Sequence, residues 1–144
     1  MKYYAVIDTN VLVSSLLTGR VDSPTVRVMK AISEGTLIPL YNEEIMKEYH
    51  EVLHRTKFPF TESRICPVLA SIRAFGLQVN PSPTNEILPD MDDLIFYEVV
   101  MEKREDDAYL VTGNLRHFPP RAFIVTPAEM IALIEPEGTQ EPRS

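Results

Sequence analysis

Two short stretches of this chain are apolar at nearly every position instead of at alternate ones: Tyr3-Tyr4-Ala5-Val6-Ile7 and Ala108-Tyr109-Leu110-Val111-Thr112. Continuous apolar runs of this length predict strands buried on both faces, as in a parallel sheet. Each run stops abruptly at polar residues, Asp8-Thr9-Asn10 in the first case and Thr112-Gly113-Asn114 in the second. Leu37 to Leu40, Leu77 to Val79 and Phe123 to Val125 read as further short strands. Between them the pattern is helical. Val11 to Leu17 has helical length and ends at Thr18-Gly19-Arg20. Ser23 and Pro24 open a helix as cap and first residue, Val26, Met29, Ala31 and Ile32 give it a stripe, and Gly35 ends it. Asn42 caps the next, which has Glu43 and Glu44 in its first turn and Ile45, Tyr49, Val52 and Leu53 along one face. Thr61 to Phe75 turns Ile65, Leu69 and Ile72 inward, and Pro67 must sit near its first turn or kink it. Asp90 to Arg104 and Pro127 to Ile134, the latter capped by Thr126, complete the helices.

Strands alternate with helices throughout, without repeats and without a second compositional regime. The expectation is one α/β domain over residues 1–134, with a parallel sheet covered on both faces. Residues 80–90 hold Pro81, Pro83 and Pro89 and read as a loop. The stretch 135–144, EPEGTQEPRS, has no apolar anchor and is expected to be disordered.

Composition narrows the classes. Hydrophobic residues make up 44% of the chain, enough for a core. Cys66 is the one cysteine, so no internal disulfide forms, which fits a reducing, cytoplasmic setting. There is no basic segment followed by an apolar one of signal-peptide type, and no apolar run approaches a membrane span, so no membrane association is expected. The 14 Lys and Arg against 21 Asp and Glu give a net charge of −7, which weighs against gripping nucleic acid by charge alone. An acidic protein acts on RNA when a divalent cation offsets its carboxylates.

In open parallel sheets, ligands bind beyond the carboxyl ends of the strands, where the strand order reverses. If the two buried-type strands are neighbours, Asp8 and Asn114 face one crevice. Pro89-Asp90-Met91-Asp92-Asp93 and the helix acids Glu43, Glu44, Glu48 and Glu51 are further acidic features. Carboxylates gathered in one place stay ionised only around a cation, and all-oxygen ligands suit Mg²⁺ or Mn²⁺ better than zinc. Such a cation polarises a phosphodiester and activates a water. Blander roles stand beside these. Asp8 could cap the helix that follows it, Asn10 could support the turn or Asp8, and Glu48 and Glu44 could be ordinary helix acids. Asp90, Asp92 and Asp93 compete for one cap, and periodicity does not separate Asp92 from Asp93. Thr112 and Asn114 could be turn residues, Asp106 and Asp107 solvated loop acids, and His117 a packed or surface histidine. Lys47, Arg55, Lys57, Arg116 and Arg121 are either surface charge or contacts for RNA phosphates.

V-I-D-T-N-V at Val6 to Val11, D-x-x-F at Asp93 to Phe96 and V-T-G-N-x-x-H-F at Val111 to Phe118 together resemble the PIN domain, and most closely the PIN ribonucleases that are toxins of toxin–antitoxin pairs. The resemblance runs from Tyr3 to about Ile134. It implies a three-layer α/β/α fold with a sheet of about five strands in the order 3-2-1-4-5. It also implies a Mg²⁺- or Mn²⁺-dependent ribonuclease site of Asp8, Glu48, Asp93 and Asn114, with Asp8, Glu48 and Asp93 holding the metal. The pattern usually has Asp at the fourth position, and Asn114 departs from it. RNA as substrate, an antitoxin protein as partner and a homodimer follow by resemblance alone. Two other functions compete with this one. One is a PIN-fold binding module without catalysis, motivated by Asn114 and the acidic charge. The other is a phosphotransfer protein of the haloacid-dehalogenase or receiver type, disfavoured because Asn10 stands where the former needs a second Asp.

Overall fold

The computed structural model describes residues 2–135. The expected disordered tail therefore lies, beyond Glu135, outside the described residues. Five parallel strands form one sheet: β1 (Tyr3–Ile7), β2 (Leu37–Tyr41), β3 (Leu77–Gln78), β4 (Tyr109–Val111) and β5 (Ile124–Val125), in the order β3-β2-β1-β4-β5. The central strand pairs Ala5 with Pro39 on one side and with Tyr109 on the other. Successive strand residues point to opposite faces, and Ala5, Val6 and Ile7 are all fully buried, so both faces of β1 are covered. This is the expected α/β fold, with the expected strand order.

Among the described residues six helices supply the cover: α1 (Thr9–Leu17), α2 (Pro24–Ser33), α3 (Glu43–Leu53), α4 (Glu62–Phe75), α5 (Leu94–Glu102) and α6 (Pro127–Ile134). Their starts are chemically marked. Ser23 Oγ accepts from the Val26 N–H, Asn42 Oδ1 accepts from the Ile45 N–H at 2.8 Å, and Thr126 with Glu129 forms a reciprocal capping box. Gly35, at φ +81°, turns the chain out of α2 in the left-handed region that suits glycine. Gly76, between α4 and β3, is needed for another reason. A Cβ there would lie 2.3 Å from the Ile72 carbonyl oxygen and 2.6 Å from that of Pro39.

The helix expected from Asp90 to Arg104 is shorter and composite. The Asp90 carboxylate accepts from the Asp92 N–H at 3.0 Å and starts a 3₁₀ turn, Met91–Asp93, before α5 begins at Leu94. A second 3₁₀ turn, Arg104–Asp106, follows, and Asp107 adopts φ 58°. Pro67 lies inside α4, beyond its first turn. In α2 the buried residues are Val28, Ala31 and Ile32, with Val26 and Met29 only partly covered. Among the described residues no helix is long and apolar enough to cross a membrane.

Tyr49 ties α3 to the sheet. It is fully buried, its ring centroid lies 6.0 Å from that of Phe96, and its hydroxyl donates to the Ile7 carbonyl at 2.5 Å. Its sequence neighbour is Glu48 and that of Ile7 is Asp8, so this bond fixes how α3 presents an acid to the end of β1.

Candidate active site

The chain leaves β1 toward β2 and β3 on one side and returns to β4 and β5 on the other, so the order reverses between β1 and β4. Asp8 follows β1 and Thr112 follows β4, both past the carboxyl ends of their strands. The ladder continues one step beyond the strands, with the Asp8 N–H donating to the Val111 carbonyl at 2.9 Å and the Thr112 N–H to that of Val125.

Asp8 is only 4% exposed. Thr112 Oγ1 donates to Asp8 Oδ2 at 2.8 Å, and Asn10 Nδ2 donates to the same oxygen at 3.1 Å. Asn10 Oδ1 in turn accepts from the Gly113 N–H at 2.9 Å, and Thr112 Oγ1 accepts from the Asn114 N–H at 2.9 Å. Two turns from distant parts of the chain are thus stitched around one carboxylate. Burial raises the Asp8 pKa above the ordinary carboxylate value, and the bonds from Thr112 and Asn10 only partly offset this. Asp8 precedes α1 but makes no side-chain cap bond to it, so the capping role does not account for its placement. Thr9 Oγ1, next to it, is buried without a hydrogen-bond partner.

Asp93 comes from the 3₁₀ turn before α5. Its side chain is 15% exposed and its Oδ2 lies 3.2 Å from His117 Nδ1. Burial, then the charges of Asp8 and Asp90, push its pKa up to about 6, against the pull of the His117 bond. Asp8 and Asp93 therefore share one electrostatic neighbourhood. The two adjacent acids of the turn separate here. Asp93 meets His117, whereas Asp92 lines a hollow of about 250 Å³ with Glu44, Glu48 and Glu51. Glu48 is half-buried, and burial, Asp92, Glu51 and Asp8 all raise its pKa, against Arg55. Glu44, in the same hollow, is exposed. Asn114 is exposed and enters this network through its backbone N–H.

A model of the PIN domain family matches residues 4–116. The chain belongs to the PIN-domain family. No match was found among curated proteins or among solved structures. PIN domains are generally nucleases and typically use divalent metal ions.

The residues of this PIN domain fit such an ion by their chemistry. The donors are oxygens, their charges repel one another without a counter-ion, and the most buried of them is held in place by neutral groups. Among the described residues no three Asp, Glu, His or Cys side chains enclose a point by themselves. Mg²⁺ is commonly held by one or two carboxylates with water and substrate phosphate completing its shell.

Tyr49 is the contributor that the sequence conceals: it reads as a core aromatic, and nothing local reveals that its hydroxyl reaches Ile7. His117 stands out in the sequence, but its contact with Asp93 does not, since 24 positions separate the two.

Proposed function

We propose that this PIN domain is a Mg²⁺- or Mn²⁺-dependent endoribonuclease, with Asp8 and Asp93 as principal metal ligands and Glu48 as a further one. The observation that carries the reading is Asp8: a buried carboxylate at the strand-order reversal, oriented by Thr112 and Asn10, whose charge bears on both Asp93 and Glu48. A bound divalent cation supplies charge stabilisation for a phosphodiester and for the water that cleaves it. The protein's own part is to hold Asp8 rigidly through Thr112 and Asn10, to hold Asp93 through His117, and to set Glu48 by the Tyr49 anchor. Asn114 adds no charge to this set and serves as a carbonyl donor or a hold for water. The reading extends to a cytoplasmic toxin of a toxin–antitoxin pair, homodimeric and restrained by an antitoxin protein.

Asp8→Asn and Asp93→Asn are each expected to abolish Mg²⁺- or Mn²⁺-stimulated RNA cleavage, a loss of about a hundredfold or more, with unchanged circular dichroism. Full activity in both variants would refute the proposal. The exposed Asn114 favours a second reading, a PIN-fold binding module. Calorimetric titration with Mn²⁺ separates the two, because absence of binding at millimolar metal supports the module.

A further inference from the structure

A second group of metal-binding side-chain types lies where α3 ends and α4 begins. His50 and His54 sit one turn apart at the end of α3, His54 as its C-cap. Glu62 and Cys66 sit one turn apart at the start of α4. That spacing puts each pair on one face of its helix. The loop 55–60 brings the two faces together, and their side chains touch in series. The rings of His50 and His54 have centroids 4.1 Å apart. His54 Nδ1 lies 2.7 Å from the His50 carbonyl oxygen, and His54 Nε2 meets Glu62 Oε2. The Cys66 thiol donates to Glu62 Oε1 at 3.4 Å. None of these side chains belongs to the set of Asp8, Glu48, Asp93 and Asn114.

The hydrogen bonds fix the tautomer of His54. A carbonyl oxygen only accepts, so Nδ1 carries a proton and donates it. Nε2 of the neutral ring then presents a lone pair to a carboxylate oxygen, which is itself an acceptor. Two lone pairs in contact require a positive charge between them, either a proton or a metal ion. Without metal the proton fills that place: the His50 carbonyl and then Glu62 raise the His54 pKa, and the bond to His54 lowers that of Glu62. Glu62 also keeps the proton on Cys66 by accepting its thiol hydrogen bond, which raises the thiol pKa. A histidine whose far nitrogen donates to a backbone carbonyl is oriented as metal-ligating histidines are. Imidazole, carboxylate and thiolate together match Zn²⁺, unlike the oxygen-only acids of the crevice. Glu62 stands between the other two donors, so the three do not enclose a point in the metal-free arrangement. All three are exposed, so their side-chain torsions turn at little cost.

We propose that His54 Nε2, the Glu62 carboxylate and Cys66 Sγ bind one Zn²⁺-class ion, with the His50 carbonyl orienting His54 and a water in the fourth position. The ion replaces the proton between His54 and Glu62 and the proton of the thiol, and both are released to water. It would clip the end of α3 to the start of α4. The site does not depend on the ribonuclease reading.

The test uses Co²⁺ as a coloured stand-in for Zn²⁺, with the full chain kept reduced by a phosphine. Cys66 is the one cysteine of the chain, so a thiolate-to-Co²⁺ charge-transfer band reports this site alone, and the carboxylates of the crevice cannot produce it. Wild type is expected to develop the band and saturate at one equivalent, and Zn²⁺, which is colourless, should bleach it. His54→Ala and Glu62→Ala should each weaken Co²⁺ binding about a hundredfold or more, since even an outer-shell partner is worth about ten- to a hundredfold. Circular dichroism checks that both variants fold. Asp8→Asn should develop the band as wild type does, which separates this ion from any in the crevice. Zn²⁺ should also slow labelling of Cys66 by a thiol reagent in wild type but not in His54→Ala. Absence of the band in wild type at millimolar Co²⁺, wild-type affinity in either alanine variant, loss of the band in Asp8→Asn, or labelling that Zn²⁺ does not slow would each overturn the proposal.

Discussion

The crevice has two walls of different construction. At the ends of β1 and β4, Asp8 is buried, accepts two side-chain hydrogen bonds on one oxygen, and directly follows the central strand of the sheet. Opposite it, Asp93 stands on a three-residue turn that ends a proline-bearing loop, and His117 is its one side-chain partner among the described residues. Both carboxylates are raised in pKa, each chiefly by burial, but only Asp93 is also raised by neighbouring acids. The sheet wall sets a position, and the turn wall sets a charge against it. The acid after the sheet strand is thus held by two side-chain partners and the acid on the turn by one.

If the walls differ in this way, removing support should hurt the sheet wall more. Asn10→Ala/Thr112→Val strips both side-chain bonds from Asp8 and is expected to lower metal-stimulated cleavage by about a hundredfold, while His117→Ala on the turn wall costs about tenfold or less. Initial-rate assays at saturating Mn²⁺ check this, and equal losses would erase the distinction.

The next effect concerns the anchor behind the sheet wall. Tyr49→Phe leaves the buried Ile7 carbonyl without its side-chain donor and should destabilise the fold by about 1–3 kcal/mol, measured by urea unfolding. A change within error would mean that α3 is held by packing alone.

The smallest effect sharpens the turn wall. The folded-state pKa of Asp93, about 6, lies above its ordinary 3.8. The folded protein thus binds this proton more tightly than the unfolded chain, and metal-free stability falls as pH rises from 3.8 to about 6 and stays lower above that. Asp93→Asn should therefore raise the Tm of the EDTA-treated protein at pH 7, with the gain shrinking as the pH is lowered toward 4. A pH-independent difference would show that the charge of Asp93 is not what the fold works against.

The sheet wall was the more legible of the two in the sequence. An acid placed directly after a fully apolar strand announces itself, and so do Asn42, Ser23 and Thr126 as caps, because each obeys a local rule. Asn10 was expected to support the turn or Asp8, and it does both. The Thr112 hydroxyl could not be assigned to Asp8, because the bond depends on β1 and β4 pairing in one register, a relation across 104 positions. The turn wall was blurred. Asp90, Asp92 and Asp93 compete for one cap and periodicity does not separate Asp92 from Asp93, whereas the 3₁₀ turn, set by Asp90 capping Asp92, sends Asp93 toward His117 and Asp92 toward Glu48.

The outermost strands, Leu77–Gln78 and Ile124–Val125, are two residues long. So short a border gives another chain almost no ladder to extend, which guards the molecule against edge-to-edge growth into fibrous aggregates. Copies that meet must do so through helices and loops, and their association is then tunable by surface side chains without disturbing the backbone pairing that carries Asp8.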